Sequence, residues 1–144
     1  MPDMIRHTSF RVVIRRVEPP FARNKEQEIE WICQTLGLAP AGEKNHPTIL
    51  IFKQIMDSTE QNKGISSTEL AEKINMSRGA VINQLNNLLR AGLVLKQGRV
   101  YVARSRSMVR TIQEVEEDIK RIFDRMERIA QEMDKEFRIG YEEL

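Results

Sequence analysis

A chain of 144 residues with 40% apolar and 31% charged side chains and a net charge of +2 has the composition of a globular protein with a charged surface, not of a disordered chain. Its apolar runs all fall short of the roughly 18–20 residues that a membrane-spanning helix needs. One cysteine, Cys33, rules out an intrachain disulfide and fits a reducing cytoplasm, and residues 1–14 lack the apolar run of a secretory signal.

Residues 10–15 (Phe-Arg-Val-Val-Ile-Arg) partly alternate and predict a short strand, ended by Pro19 and Pro20, which supply no ladder donor. Asn24, with Gln27 three residues on, predicts a helix start. Ile29, Ile32, Cys33 and Leu36 follow at helical spacing as one buried stripe, stopped by Gly37 and Pro40. Trp31 falls opposite that stripe, where residues 10–14 are the expected cover; Cys33 lies on the stripe and reads as core. Pro47 suits a first helical position. Ile49, Phe52, Ile55, Met56 and Thr59 form the next stripe, with Leu50 and Ile51 off it, so this helix is expected to be buried on two sides.

Ser66-Ser67-Thr68-Glu69 is a capping box, with Ile65 and Leu70 placed for the hydrophobic staple. The short helix it opens turns inward Leu70, Ala71 and Ile74. Asn75-Met76 is a tight connection, Ser77 caps a further helix running to about Ala91, and Gly92 stops it. Residues 93–96 and 99–102, with Gln97-Gly98 between them, read as a β-hairpin. From about Ser107 to Phe137 the period is helical. Met108, Ile112, Val115, Ile119, Ile122, Met126, Ile129 and Met133 keep a 4-3 spacing, an a/d heptad seam, and Phe123, Ala130 and Phe137 add apolar e positions.

Helix, capped short helix, tight turn, capped helix, hairpin is the winged helix-turn-helix order. A major groove about 12 Å wide admits one helix, which needs one face to bury and one to read bases. On residues 77–91 the apolar Val81, Leu85 and Leu88 share one side, while Gly79, Asn83, Asn86, Asn87 and Arg90 share the other. Asn and Gln pair bidentately with adenine and Arg with guanine. Three asparagines in five positions do nothing for helix stability. Charge agrees: residues 73–113 hold eight Lys or Arg and no Asp or Glu, whereas residues 114–144 hold 11 acidic and 6 basic side chains. Concentrated cations are the footprint of a polyanion partner.

Residues 77–94 (Ser-Arg-Gly-Ala-Val-Ile-Asn-Gln-Leu-Asn-Asn-Leu-Leu-Arg-Ala-Gly-Leu-Val) resemble the recognition helix and wing entry of the ArsR and MarR-type winged-helix regulators, particularly their archaeal relatives. The resemblance covers about residues 47–102, and the long C-terminal helix is similar to the dimerisation helices appended to such domains. It implies a DNA-binding transcription regulator. It does not extend to the metal-sensing members, which cluster cysteines and histidines: Cys33, His7 and His46 stand apart in sequence.

The expected fold is mostly α with a minor β part. It comprises an N-terminal strand and helix extension (1–46), a winged helix-turn-helix domain (47–105) and a C-terminal coiled-coil-like dimerisation helix (106–144). The expected function is sequence-specific binding of double-stranded DNA by a cytoplasmic homodimer, with helix 77–91 in the major groove and wing 94–102 on the backbone. Expected DNA contacts are Ser67, Ser77, Arg78, Gly79, Asn83, Gln84, Asn87, Lys96, Arg99 and Arg104, of which Lys96, Arg99 and Arg104 near the wing face phosphates. Expected dimer contacts are Ile112, Val115, Ile119, Ile122, Met126, Ile129 and Met133. No catalytic set, metal site, cofactor or membrane contact is expected, and no residue pattern assigns an effector ligand. The alternative reading is a winged-helix protein–protein interaction module of a chromosome or transcription complex, which has no need of the acid-free basic window.

Overall fold

The computed structural model describes residues 10–21 and 24–137. In chain order the elements are α1 (Lys25–Thr35), α2 (Pro47–Glu60), β1 (Ile65–Ser66), α3 (Ser67–Ile74), α4 (Arg78–Ala91), β2 (Val94–Gln97), β3 (Val100–Ala103) and α5 (Met108–Glu136). The chain divides into two compact units, one up to Thr111 and one from Ile112 on. The N-terminal arm and α1 belong to the first unit, together with the helix-turn-helix and hairpin.

Short-range chemistry sets the helix starts. The Asn24 carboxamide accepts from the Gln27 amide at 2.9 Å and opens α1. Pro47 begins α2, where a missing N–H is harmless, and the His46 ring accepts from the Thr48 amide. Ser66 and Glu69 close the capping box reciprocally at 3.1 Å. The Glu69 carboxyl is held below its usual range by the Ser66 amide, and then by the Ser66 hydroxyl, donating to it. Asn75 takes the left-handed conformation at φ 56° and reverses the chain into α4, which Ser77 caps through the Ala80 amide. Gly92, at φ 79°, ends α4.

The core lies around α2. Ile49, Ile51, Phe52 and Ile55 are all fully buried, which is the expected burial on two sides. Leu70 from α3, Val81, Leu85, Leu88 and Ala91 from α4, and Leu93 and Val94 at the start of the hairpin complete it. Cys33 is also fully buried, and that burial pushes its thiol up to about 12, so it is a protonated core side chain.

The sheet has three antiparallel strands in the order β1-β3-β2. Gln97 faces Val100 across a two-residue loop, with Gly98 at φ 63° in its first position, where a primed turn requires positive φ. Strand β1 is an addition to the predicted elements: Ile65 pairs with Tyr101 and Ser66 with Val100. The preceding Gly64 permits it, because a Cβ there would stand 2.3 Å from Val100 Cγ2.

The predicted strand at residues 10–15 does not form. The arm reaches helix ends, not a strand edge: the Arg11 amide donates to the Arg90 carbonyl at 2.8 Å and the Arg15 amide to the Thr35 carbonyl at 2.7 Å. Terminal helix carbonyls lack intrahelical donors and are ready acceptors. Trp31 is half-buried and donates to the carbonyl of Val17 at 2.8 Å, farther along the arm than residues 10–14. Gly37, at φ 69°, accommodates Val13, whose carbonyl oxygen would lie 2.7 Å from a Cβ.

Candidate nucleic-acid interface

Helices α3 and α4 form the helix-turn-helix. The Met76 amide donates to Ala71 and the Val81 amide to Ser77, which fixes the turn between them. With Val81, Leu85 and Leu88 buried, the opposite side of α4 is open: Gly79, Asn83, Asn86, Asn87 and Arg90 are all exposed. A Cβ placed on Gly79 would meet nothing within 4 Å, so no neighbour in the chain requires glycine there. Helix start, turn and polar face thus present a hydroxyl at Ser77, a guanidinium at Arg78 and a row of carboxamides, without a carboxylate on α4 or on the hairpin.

The predicted contacts divide into two groups. Ser77, Arg78, Gly79, Asn83, Asn87, Lys96 and Arg99 are exposed on the helix-turn-helix and hairpin. Arg99 stands in the hairpin loop, and Lys96 reaches over the Tyr101 ring at 5.7 Å, a cation–π contact that steadies its stem. Ser67, Gln84 and Arg104 are engaged inside the molecule. Ser67 is buried and its hydroxyl accepts from Arg78 Nε at 3.4 Å, so it positions the arginine. Gln84 Oε1 accepts from the Thr48 hydroxyl of α2 and from Asn87 Nδ2. Arg104 is half-buried, with Nη1 on the Gly92 carbonyl at 3.3 Å, where a cation meets the end of the α4 dipole.

Sequence reasoning passed over the arm. Its Arg11, Arg15 and Arg16 are exposed, and the Arg11–Arg90 backbone bond brings Arg11 beside the last turn of α4. Three arginines within six acid-free positions were the available signal. Lys73, Arg106 and Arg110 are further exposed cations of the basic window.

Helix α5 carries a different surface. Ser107 caps it through the Arg110 amide at 3.1 Å. Of the predicted dimer contacts, Ile112, Ile122, Met126, Ile129 and Met133 are exposed, Ile119 is half-buried and Val115 is buried. Val115 is therefore not part of the open face, whose apolar character extends instead to Phe123 and Phe137. Ion pairs run along the outside of this helix, Lys120 with Asp124 at 3.2 Å and Arg121 with Asp118.

Among the described residues no helix is long and apolar enough to cross a membrane, and no three His, Cys, Asp or Glu side chains gather where a metal ion would sit. Comparison with curated proteins and with solved structures gives no match. Residues 53–94 match the family model described as winged helix-turn-helix DNA-binding, a stretch that runs from the middle of α2 through β1, α3 and α4 to the first residue of β2. The fold is that of a winged helix with a long C-terminal helix, and its helix-turn-helix is similar to those of that DNA-binding family.

Proposed function

We propose that the protein is a homodimeric, sequence-specific double-stranded DNA-binding regulator of transcription, of the ArsR and MarR-like kind, acting by binding and not by catalysis. The observation that carries this reading is the open face of α4: carboxamides, a guanidinium and an unobstructed glycine opposite a fully buried apolar side. In the major groove Arg78, Asn83 and Asn87 read base edges, Gly79 lets the helix start approach the duplex, and Ser77 donates to a phosphate. Lys96 and Arg99 hold the backbone from the hairpin, while Ser67, Gln84 and Arg104 position the reading elements. The dimer is supported by the exposed Ile, Met and Phe side chains of α5, since each large apolar side chain left in water forgoes roughly 1.5–3 kcal/mol of burial. A two-fold dimer reads a pseudo-palindrome with half-sites about one DNA turn, 34–36 Å, or a multiple apart.

Titration of the full chain against its own upstream DNA and against random duplex, at several salt concentrations, tests this. Tighter binding to the upstream DNA, with log affinity falling linearly with log salt on both, is expected. Equal affinity for the two removes sequence specificity, and no affinity for either removes the reading.

A further inference from the structure

The residues that flank the α5 seam carry information about how two such helices meet. With Ile112, Ile119, Met126 and Met133 at a, and Val115, Ile122 and Ile129 at d, the flanks are unlike. The e flank is apolar at Phe123, Ala130 and Phe137; the g flank is charged at Asp118, Arg125 and Glu132. In a parallel pair each g residue faces an e residue five positions on, which would set Asp118 against the partner's Phe123, Arg125 against the partner's Ala130 and Glu132 against the partner's Phe137. No ion pair forms and every flanking charge loses water to an apolar neighbour. In an antiparallel pair e meets e and g meets g, which brings Phe123 to Ala130 and Arg125 to Glu132 and leaves one charged e residue, Glu116, opposite Phe137 at the edge of the overlap.

Resting on the homodimer reading above, we propose that α5 pairs antiparallel with the same helix of a second copy, through its C-terminal half. That half is open: Ile122, Phe123, Met126, Ile129, Met133 and Phe137 are 42–67% exposed, whereas Val115, nearer the start, is 3% exposed. One register fits. Ile122 layers on the partner's Met133 and Met126 on the partner's Ile129. Phe123 lies over the partner's Ala130, large against small, and Arg125 meets the partner's Glu132, each contact occurring twice about the two-fold axis. A slip of one heptad sets Arg125 against the partner's Arg125 in one direction and Glu132 against the partner's Glu132 in the other. Like charges thus guard the register on both sides. At 1.5 Å per residue the two α5 starts lie about 60 Å apart, whereas a parallel pair would hold them within about 10 Å.

The test uses the full chain with Cys33→Ala, carrying either Ile122→Cys or Met133→Cys, one of the two bearing a size tag. Each is treated with a short bis-maleimide alone and after mixing, beside sedimentation of the same samples. Cross-linking only in the mixture is the expected result, because each new thiol lies about 16 Å from its own copy and next to the other. Self-cross-linking of each variant alone overturns the antiparallel orientation while leaving a dimer. No cross-link in a sedimenting dimer overturns this face as the interface. A monomer at micromolar concentration overturns both the dimer and its geometry. Charge reversal gives a second reading: Arg125→Glu alone and Glu132→Arg alone each weaken dimerisation several-fold, and the two in one chain restore it. Failure of the double reversal to restore dimerisation overturns the register.

Discussion

Helices α4 and α5 are both two-faced, but they resolve their apolar sides differently. In α4 Val81, Leu85, Leu88 and Ala91 are completely covered by the chain's own core. Its exposed side is a polar row in which Asn87 donates to Gln84 Oε1. In α5 Met126, Ile129 and Met133 stay 50–57% exposed, and the charged side is the one occupied, by ion pairs along the helix. A helix whose apolar face is covered has only its polar face left for solvent or a partner; one whose apolar face is open leaves that face to be covered. On the proposed reading the two faces take partners of opposite chemistry, a polyanion for α4 and another apolar surface for α5.

Truncating one side chain on each helix is the strongest way to break the contrast. Leu85→Ala removes a fully buried side chain and is expected to lower unfolding free energy by about 2–5 kcal/mol, regardless of protein concentration. Ile129→Ala is expected to leave the unfolding of dilute protein within about 0.5 kcal/mol of the parent while weakening dimerisation. If urea unfolding at low concentration shows equal losses, the two faces do not differ. Next in size are the residues proposed to read bases. Arg78→Ala and Asn83→Ala are each expected to weaken a specific site by roughly 1–3 kcal/mol, and random duplex less. Lys96→Ala or Arg99→Ala is expected to weaken every sequence and to lower the salt slope by about one. Parallel titrations separate the two patterns, and an unchanged slope removes the phosphate assignment.

A smaller effect has opposite signs in two assays. Gly79→Ala meets no neighbour and removes backbone freedom from the unfolded chain, so thermal stability is expected to rise by about 0.5–1 kcal/mol while DNA affinity falls. An unchanged affinity would mean that no duplex approaches this turn. The smallest expected effect is a pH dependence at the start of α3. The folded Glu69 carboxyl titrates below its ordinary value of 4.5, so the unfolded chain takes up that proton first on acidification. Its contribution is complete above about 4.5 and is lost as pH falls through the lower folded value. The stability difference between the parent and Glu69→Gln is therefore expected to be constant near neutrality and to vanish on acidification in urea-unfolding curves.

Helix starts were legible because a cap is settled within four residues: Asn24 with Gln27, Ser66 with Glu69 and Ser77 with Ala80 meet as their spacing implies. Strand β1 was not, since two residues carry no period, and Ile65 reads equally well as the staple of the helix it precedes. The arm failed for the opposite reason. Its alternation was present, but the nearest unsatisfied acceptors are helix-terminal carbonyls. Among the site residues, Gln84 sits on the shoulder of the buried stripe, about 40° from Leu88 at 100° per residue, where a polar side chain can turn either way. It turned to Thr48. Ser67 and Arg104 likewise have the right chemistry for a phosphate but meet Arg78 and the Gly92 carbonyl first. Residue type states what a group can bind, and only packing states whether it is already taken.

The hairpin is joined to the rest of the first unit along the strand that comes second. Tyr101 pairs with Ile65 at the threshold of α3, Val100 closes over Gly64, and the Ala103 amide is held by the Thr59 hydroxyl at 2.9 Å. The loop bearing Arg99 thus projects from a root that β1, Gly64 and Thr59 hold. On the proposed DNA-binding reading, a hairpin rooted in this way acts as a lever of set length between Arg99 and α4, a caliper with one setting. Duplexes of different groove width are then expected to adapt to the protein more than the protein to them.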